Sequence, residues 1–461
     1  MKIASIIFGG GISTLGMSVI TSEIYKKTFF VVSEFRPEKD QYWEIKKCDV
    51  LLVSLNWYED ILEFMNFLDK SGIDPKKKKP IVIIGGIGAI NIQILHGMFN
   101  YCVLGDGETT ISDVILAIKS GSDPSCFYNV ISDGDFASRK QLATSKLIPA
   151  SIYEETRTNR TTRIELARGC RFKCPFCQIG NVKPYREQPI EIVKHLINQS
   201  KTKNIGLFAP DRTGYSKYPE LELYCSKVGK INTAQDARLD MLMKYEIVNK
   251  IKFGLEGFRS DTREKFNKMG NDAKIIEGFS HIFKRIKTNK GKPLTVATVY
   301  MIGDLPGENE SDVSGFWKLL EECSSFCDHK FTLFLTLNSF SAKPFTPMEF
   351  SGIRPYNKWN LEWSKRPRLK NVTIASRGGM KSASSRIIHA LSLRGDVRLR
   401  NLLFWIATNA DGKKIYKATG DDAGLAIERL IKKQGIEPAS IYGELPKGSF
   451  LPHHQFSIEP L

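Results

Sequence analysis

Three cysteines within eight residues constrain this chain more than any other feature. Cys170, Cys174 and Cys177 lie in the segment LARGCRFKCPFCQIG with the spacing C-x3-C-x2-C. Three thiols so close together cannot pair among themselves without leaving one over. Thiolates are ligands of iron–sulfur clusters, and three of them on one loop leave one iron of a four-iron cluster open for chemistry. The alternatives are a structural zinc site and three buried free thiols.

The flanking sequence places the cysteines in a loop between a strand and a helix. Residues 163–167 (RIELA) alternate polar and apolar side chains, Gly169 ends this strand, and a helical pattern begins at Pro189. Loops after strands hold the active sites of β/α barrels. The spacing and its context resemble the radical S-adenosylmethionine (SAM) superfamily. The resemblance implies a [4Fe–4S] cluster on the three cysteines, with SAM on the open iron and cleaved reductively to methionine and a 5′-deoxyadenosyl radical.

Later segments extend the resemblance over residues 155–350, which we predict to form a radical SAM partial β/α barrel. Asp211 follows the apolar strand 205–208, at the place where the family contacts the SAM amino group. Glu256 and Arg263, in FGLEGFRSDTR, match a region that touches the SAM ribose and carboxylate, although Arg263 equally suits a helix surface. Gly303, in VYMIGDLPGE, matches a strand that packs on adenine. The resemblance thus implies cofactor contacts by these four residues, and it assigns no catalytic residue.

Residues 1–150 have the pattern of an open α/β domain. Short apolar strands end in glycine-rich turns, and the candidate cofactor-binding residues there are Gly9, Gly10, Gly85, Gly86, Gly105 and Glu108. Ligands of such sheets bind beyond the carboxyl ends of the strands, where glycine permits close approach. We therefore predict a Rossmann-like, doubly wound parallel sheet. The order of DVLLVSL, IVIIGG and GDGE resembles the cobalamin-binding domain of cobalamin-dependent radical SAM enzymes, which implies cobalamin as a further cofactor.

The cobalamin resemblance lacks one feature. Domains of this type offer a histidine to cobalt in a D-x-H-x-x-G motif, and the one histidine before residue 195, His96 in LHGMF, does not fit. Either cobalamin binds without a protein ligand or the domain is a remnant. A second cluster of the methylthiotransferase kind is not expected, because the first glycine loop contains no cysteine.

The charge of the chain bears on its substrate. The formal net charge is +17, and a basic C-terminal module, predicted over residues 351–461 as a small α+β substrate module or lid, adds to it. Such charge attracts polyanions, although a lysine-rich solvated surface explains it equally well. We predict methylation or another modification of a nucleic-acid base. The alternatives are a methyltransferase or rearrangement enzyme acting on a small molecule or peptide, and a nucleic-acid-binding protein with a structural cluster.

The other cysteines and histidines suggest simpler roles. Cys323 and Cys327 share one helix face and are predicted to be buried apolar residues, as is Cys225, rather than a second metal site. His453 and His454 are either acid–base groups or exposed residues near the end of the chain. Nine cysteines argue against a disulfide scaffold, and no apolar run reaches the length of a membrane span. We predict a cytoplasmic enzyme whose implied partner is a reducing electron donor of the flavodoxin or ferredoxin type.

Overall fold

The computed structural model describes residues 1–8, 15–35, 41–77, 79–146, 148–150, 152–154, 161–233, 236–377 and 379–457. They form a mixed α/β protein with parallel sheets, as predicted. The chain divides into two compact units. The first unit comprises Met1–Lys146, Phe350–Pro355 and Ser382–Leu461, and the second unit comprises Leu147–Glu349 and Tyr356–Lys381. No helix in the described part of the chain is long and apolar enough to cross a membrane.

The first unit is built on a six-stranded sheet with the order β2-β1-β3-β4-β5-β6. Its strands are β1 (Ile3–Ile7), β2 (Val32–Phe35), β3 (Val50–Ser54), β4 (Ile81–Gly85), β5 (Tyr101–Val103) and β6 (Val130–Ser132). The helices between them are α1 (Leu15–Thr28), α2 (Tyr42–Ile45), α3 (Asp60–Ser71) and α4 (Ile111–Ser120), and a short β7 (Lys140–Gln141) follows. Strands β1 to β5 are parallel, and β6 is antiparallel to β5. In a sheet with the order 2-1-3-4-5, ligands bind where the carboxyl ends of β1 and β3 diverge.

The second unit contains two further sheets. The strands are β8 (Ile152–Glu154), β9 (Thr161–Glu165), β10 (Ala167–Arg168), β11 (Arg186–Glu187), β12 (Asn204–Phe208), β13 (Ile231–Asn232), β14 (Asp236–Ala237), β15 (Ile251–Glu256), β16 (Val296–Gly303), β17 (Phe331–Ser339) and β18 (Val372–Ser376). The helices are α5 (Gln178–Val182), α6 (Ile190–Gln199), α7 (Tyr218–Lys227), α8 (Leu239–Leu242), α9 (Ser260–Lys265), α10 (Asp272–Lys284), α11 (Val313–Ser324) and α12 (Trp359–Ser364). Strands β13, β12 and β9 are parallel with β8 antiparallel at the edge, and β14 to β18 form a fully parallel sheet.

The five-stranded sheet has two different faces because side chains alternate along each strand. One face is apolar and buried: Phe253 of β15 packs against Phe279 of α10, with ring centroids 5.8 Å apart. Most side chains of the opposite face are half-buried, and we call it the open face. It carries Lys252 and Glu256 of β15, Thr298, Tyr300 and Ile302 of β16, and Phe334, Thr336 and Asn338 of β17.

The predicted apolar roles of three cysteines are confirmed. Cys225, Cys323 and Cys327 are all buried in the core of the second unit. Burial raises the pKa of the Cys323 thiol to about 12, so this thiol stays protonated at neutral pH. A protonated thiol in an apolar core is a poor metal ligand, in keeping with the prediction.

The C-terminal part of the chain clusters with the N-terminal sheet in the first unit. It contains α13 (Ala383–Arg394), α14 (Arg400–Thr408), α15 (Ala410–Lys417), α16 (Asp421–Lys433), α17 (Ala439–Tyr442) and β19 (Phe456–Ser457), which pairs with β7. The side-chain amide of Asn91 donates to the carbonyls of Ser392 and Gly395 at 3.1 and 2.9 Å. Arg394 is buried and donates to the carbonyls of Ser351 and Gly443. The arginine therefore stabilises the fold and adds nothing to a basic surface.

Candidate metal centre

The cysteine loop lies between β10 and α5, just past the carboxyl end of β9. Gly169 starts it with a φ of 69°, and a Cβ there would lie 2.4 Å from the carbonyl oxygen of Lys183, so no other residue fits. The side-chain amide of Asn181 donates to the carbonyls of Cys174 and Cys177 at 3.0 and 2.7 Å. These contacts hold the loop in one conformation.

The three thiols fit a cluster better than a zinc ion. All three cysteines are free, Cys174 is buried, and Cys170 and Cys177 are half-buried. Their Sγ atoms, all of them described, do not lie within 4.8 Å of one another as a set. Two sulfurs on one tetrahedral zinc would be about 3.8 Å apart, given Zn–S bonds of about 2.3 Å. A multi-iron cluster spreads its thiolates over several metal ions, which suits the wider spacing.

Two cations face the buried thiol. Burial raises the pKa of Cys174, and the positive charges of Lys268 and Arg238 oppose that shift. Lys268 Nζ lies 3.3 Å from Glu256 Oε1, and Arg238 Nε lies 3.0 Å from Asp240 Oδ1, so both cations are fixed in position. Positive charge beside a thiolate stabilises the ionised form, which is the form that binds metals.

A second loop closes over the cysteines. The side-chain amide of Asn267 donates to the carbonyls of Phe172 and Lys173 at 3.2 and 3.3 Å. The backbone carbonyl oxygen of Asn267 lies 3.8 Å from the Cys174 sulfur and accepts from that thiol. Asn267 and Lys173 both have positive φ, at 56° and 43°. Such conformations cost about 1–3 kcal/mol each and concentrate at functional sites. No sequence pattern reveals Asn267, Arg238 and Lys268, because their roles depend on contacts with a loop 60 or more residues earlier in the chain.

Asp211 lies beside the cysteines, where a cofactor contact was predicted. Its Oδ1 accepts hydrogen bonds from the Thr213 hydroxyl and amide at 2.6 and 3.2 Å. Its Oδ2 is buried and has no hydrogen-bond partner in the described part of the chain. The charge of Asp211 contributes to raising the pKa of Cys170, after burial, which shows that the two groups are close. A buried carboxylate oxygen without a donor is costly and suits a positively charged ligand group.

Glu256 also reaches the metal centre. It ends β15 with a φ of 66°, at a register shift between β15 and β16. Through its ion pair with Lys268, it fixes the cation that faces Cys174. A strained glutamate at this position is in keeping with a functional role, and its contact with a cofactor stays a prediction.

The prediction that Arg263 contacts a cofactor is wrong. Arg263 is fully buried, and each nitrogen of its guanidinium donates to the chain itself. The acceptors are the carbonyls of Gly257, Phe258, Met269 and Gly270 and the carboxylate of Asp272. No donor remains for a ligand, and the side chain is not on a helix surface either. Arg263 instead fixes the segment 257–270 that carries Asn267 and Lys268.

Gly303 packs closely against other residues of the second unit. A Cβ on Gly303 would lie 2.9 Å from the sulfur of Met380 and 3.2 Å from the ring of Trp359. Protein side chains therefore fill the space on the Cβ side of Gly303, and contact of this glycine with a cofactor stays a prediction. The glycine is required by packing within the second unit.

The glycines of the first unit serve its own loops. A Cβ on Gly86 would lie 2.4 Å from the carbonyl oxygen of Leu55, and one on Gly105 would lie 2.2 Å from that of Ala143. Gly85 is similarly close to Val103, at 3.2 Å. Glu108 is half-buried in a short turn, and Gly9 and Gly10 lie outside the described residues. Cofactor contacts by these residues remain predictions.

The histidines of the first unit occupy different edges of its sheet. His96 Nδ1 lies 2.9 Å from Asp133 Oδ1. The backbone amide of Asp133 donates to the backbone carbonyl of Asn100, at the amino end of β5. His96 is therefore at the edge opposite the ligand-binding edge. His389, which the sequence analysis did not single out, packs beside Tyr58 just after β3, with ring centroids 5.9 Å apart. His453 is buried, so the alternative that it is exposed is wrong for this residue.

Glu308, next to α9, makes the stability of the protein depend on pH. Its carboxylate accepts hydrogen bonds from the amides of Phe258 and Arg259 at 2.6 and 2.9 Å. Burial raises its pKa from 4.5 to about 7. Because the folded-state pKa is the higher one, the stability associated with this group is complete below about pH 4.5 and is lost as the pH rises through about 7.

We expect Glu308→Gln to change the pH dependence of stability. Glutamine keeps an acceptor for the two amides but does not ionise. The free energy of unfolding of the wild type, relative to the variant, should therefore fall between pH 5 and pH 8, by up to about 3 kcal/mol. Anaerobic urea unfolding at the two pH values measures the difference. A difference that is equal at both values would contradict a raised pKa for Glu308.

The chain matches two protein-family models. Residues 164–320 match the model of the radical SAM superfamily, and residues 37–126 match the N-terminal model of radical SAM proteins. No curated protein matches the sequence.

Solved structures of cobalamin-dependent radical SAM proteins resemble the chain. The radical SAM methyltransferase TsrM from Kitasatospora setae, with cobalamin and a [4Fe–4S] cluster bound, has a TM-score of 0.54 at 14% identity, over 76% of this chain and 77% of that one. TsrM with tryptophan substrate and a SAM analogue gives 0.54 at 13%, over 76% and 75%. OxsB with aqua-cobalamin and SAM bound gives 0.42 at 11%, over 98% and 60%. The likeness to TsrM is one of fold.

Proposed function

Because this chain is a radical SAM enzyme, we propose that Cys170, Cys174 and Cys177 hold a [4Fe–4S] cluster and that SAM binds the iron they leave open. The observation that carries the proposal is the loop of three free thiols, with two fixed cations and the unpartnered carboxylate oxygen of Asp211 beside it. When bound, the cluster supplies the electron for reductive cleavage of SAM. The chain's own residues fix the loop, balance its charge and exclude water. The electron comes from a donor of the flavodoxin or ferredoxin type.

The second unit serves as a partial β/α barrel in this proposal. Its parallel strands follow one another along the chain from β9 to β18, and helices pack on the apolar face. The cysteine loop follows the carboxyl end of β9, and Glu256 lies at the carboxyl end of β15. Active sites of β/α barrels lie at that end of the strands. The open face then lines the space in which a substrate meets SAM.

We extend the proposal to methyl transfer with cobalamin in the first unit. Its strand order favours a ligand between the carboxyl ends of β1 and β3. Trp57, three residues after β3, is 63% exposed and offers an apolar surface to a flat ligand. TsrM, which has the same fold, is a methyltransferase with bound cobalamin. Since His96 lies at the opposite edge, cobalamin would bind without a D-x-H-x-x-G histidine.

A small molecule suits this chain better than a nucleic-acid base. The prediction of a nucleic acid depended on net charge and on the basic C-terminal module. Arg386 and Arg394 of that module are buried and donate to backbone carbonyls, so they are not available to phosphates. The related TsrM structure contains a tryptophan substrate. Nothing in the comparisons supports a base as the target.

The test is SAM turnover under anaerobic conditions. The protein is reconstituted with iron and sulfide, then given SAM and a low-potential reductant, with and without hydroxocobalamin. Mass spectrometry should detect S-adenosylhomocysteine that depends on cobalamin, and 5′-deoxyadenosine. If an intact cluster yields neither product, the proposal fails. An arm with added polynucleotide should leave turnover unchanged, and stimulation there would favour base modification instead.

We expect Asp211→Asn to weaken SAM binding. The substitution keeps the shape of the side chain but removes the charge of the unpartnered oxygen, which we assign to the SAM ammonium group. Loss of a charge-assisted hydrogen bond corresponds to about a 10- to 100-fold rise in the dissociation constant. Isothermal titration of the reconstituted protein measures this constant, and iron content checks the cluster. Asp328→Asn, an exposed carboxylate with the same charge change, is the control. Equal affinities in all three proteins would exclude the contact.

A further inference from the structure

Arg377 offers an uncommitted guanidinium at the end of β18. The group stacks on the ring of Phe334, 3.5 Å from its centroid. The backbone amide of Arg377 donates to the carbonyl of Leu335 at 2.8 Å, and this bond places Arg377 beside Leu335 of β17. The side chain is exposed, and it makes no hydrogen bond or ion pair with any residue that the structure describes. All five N–H donors of a rigid, planar fork are therefore available to a ligand.

The guanidinium lies on the open face. Phe334 pairs in register with Ala375, and Arg377 follows two residues later, so it projects to the same side as Phe334. Tyr300 lies on this face one strand further, paired with Thr336. Burial raises the pKa of Tyr300, and the charge of Arg377 opposes that shift. Arg377 is thus close enough to Tyr300, in the middle of the face, to interact with it electrostatically.

The same face leads to the metal centre. Glu256, on the far side of Tyr300, contributes to raising the pKa of Tyr300 and forms the ion pair with Lys268. Lys268 directly follows Asn267, whose backbone carbonyl oxygen lies 3.8 Å from the Cys174 sulfur. Tyr300 is therefore between a free cation on one side and the residues of the cysteine loop on the other. A molecule held at Arg377 would extend along the face toward the iron.

We propose that the substrate is an organic anion and that Arg377 binds its carboxylate or phosphate group. This inference rests on the proposed function and specifies the substrate class of that same site. Arginine makes two parallel hydrogen bonds to either group, and stacking on Phe334 orients the fork before the ligand arrives. The hydroxyl of Tyr300 and the amide of Asn338 are polar groups for the rest of the molecule. Holding the anionic end fixes which carbon lies near the metal centre, as positioning of a reactant requires.

The experiment is equilibrium dialysis of the reconstituted protein, at about 0.15 M salt to screen the general positive charge. The probes are amino acids and 2-oxo acids as carboxylates, nucleoside and sugar monophosphates as phosphates, and the corresponding amides, nucleosides and sugars as neutral analogues. Mass spectrometry measures how much of each probe the protein retains. Three variants are compared with the wild type: Arg377→Gln, Arg377→Lys, and Arg366→Gln, which is an exposed arginine outside the open face with the same charge change.

At least one anion should be retained about tenfold or more over its neutral analogue. Retention should fall about 10- to 100-fold in Arg377→Gln, fall less in Arg377→Lys, and stay at the wild-type level in Arg366→Gln. Whether carboxylates or phosphates are retained identifies the group. Equal retention of anions and neutral analogues, or an Arg377→Gln protein that binds like the wild type, overturns the proposal.

Parallel SAM turnover by the wild type separates this inference from the proposed function. If SAM is not cleaved but anions bind through Arg377, the radical activity fails and the anion site stands. If SAM is cleaved and Arg377→Gln leaves anion retention unchanged, the anion site alone fails.

Discussion

Replacing Cys174 by alanine is expected to abolish the cluster. Cys174 is the most buried of the three thiols, and both fixed cations face it. Alanine leaves two thiolates for a cluster that needs at least three protein ligands, and it removes the thiolate that Lys268 and Arg238 face. Iron and sulfide content after anaerobic reconstitution should fall to background, together with the visible absorption of the cluster. Reductive cleavage of SAM should become undetectable.

Cys323→Ala is the matched control for this prediction. Cys323 is equally buried but lies in the core of the second unit, away from the cysteine loop. The loss of one sulfur atom from a packed core should cost about 1 kcal/mol of stability and leave iron content at the wild-type level. A Cys174→Ala protein with a full complement of iron would exclude the three-cysteine site. Loss of iron in Cys323→Ala would reveal a second metal site.

Local sequence patterns predicted the parts of the site that are close together in the chain. The C-x3-C-x2-C spacing keeps the three thiols on one loop, and the glycine after the strand marks where the loop begins. Asp211 was found for a similar reason, since it directly follows the strand β12 that pairs with β9. In a parallel sheet, residues just past neighbouring carboxyl ends lie near one another, so strand prediction alone brings such residues together.

Contacts distant in the chain were not predictable in this way. Asn267 closes over the cysteine loop through hydrogen bonds across 94 and 95 residues, and no spacing rule connects the two segments. Arg263 shows the reverse problem. Its position in a family-like segment suggested a ligand contact, but its burial depends on how the chain from 257 to 270 folds around it. Arginine donors satisfy carbonyls as readily as they bind ligands, so sequence alone does not separate the two roles.

The same reasoning applies to the glycines. Gly86 and Gly105 lie at carboxyl ends of strands, where a ligand or another backbone segment equally demands the absence of a side chain. The backbones of Leu55 and Ala143 fill the two positions. Trp57 and Arg377 belong to no sequence motif. Only their exposure and their surroundings identify them as candidates for ligand binding.

Arg263→Ala is expected to cause the largest loss of stability. The variant leaves four backbone carbonyls and the carboxylate of Asp272 without the donor they share. Each buried acceptor that is left without a donor costs about 1–3 kcal/mol, so the total loss should reach about 3–5 kcal/mol. Since the affected segment carries Asn267 and Lys268, the cysteine loop should also loosen, and iron should be lost faster from the reconstituted variant than from the wild type. Anaerobic urea unfolding and the rate of iron release to a chelator measure the two effects.

Arg259→Ala supplies the comparison, because Arg259 is four residues away and pairs with Asp261 at the surface. An exposed pair of this kind contributes about 0–1 kcal/mol, so this variant should unfold almost as the wild type does. Arg263→Lys keeps the charge but offers three donors to five bonds, and its stability should lie between the two. If Arg263 has only a structural role, the SAM affinity of its variants should fall in proportion to their loss of stability. If Arg263→Ala unfolds like Arg259→Ala and yet binds SAM more weakly, Arg263 contacts the cofactor.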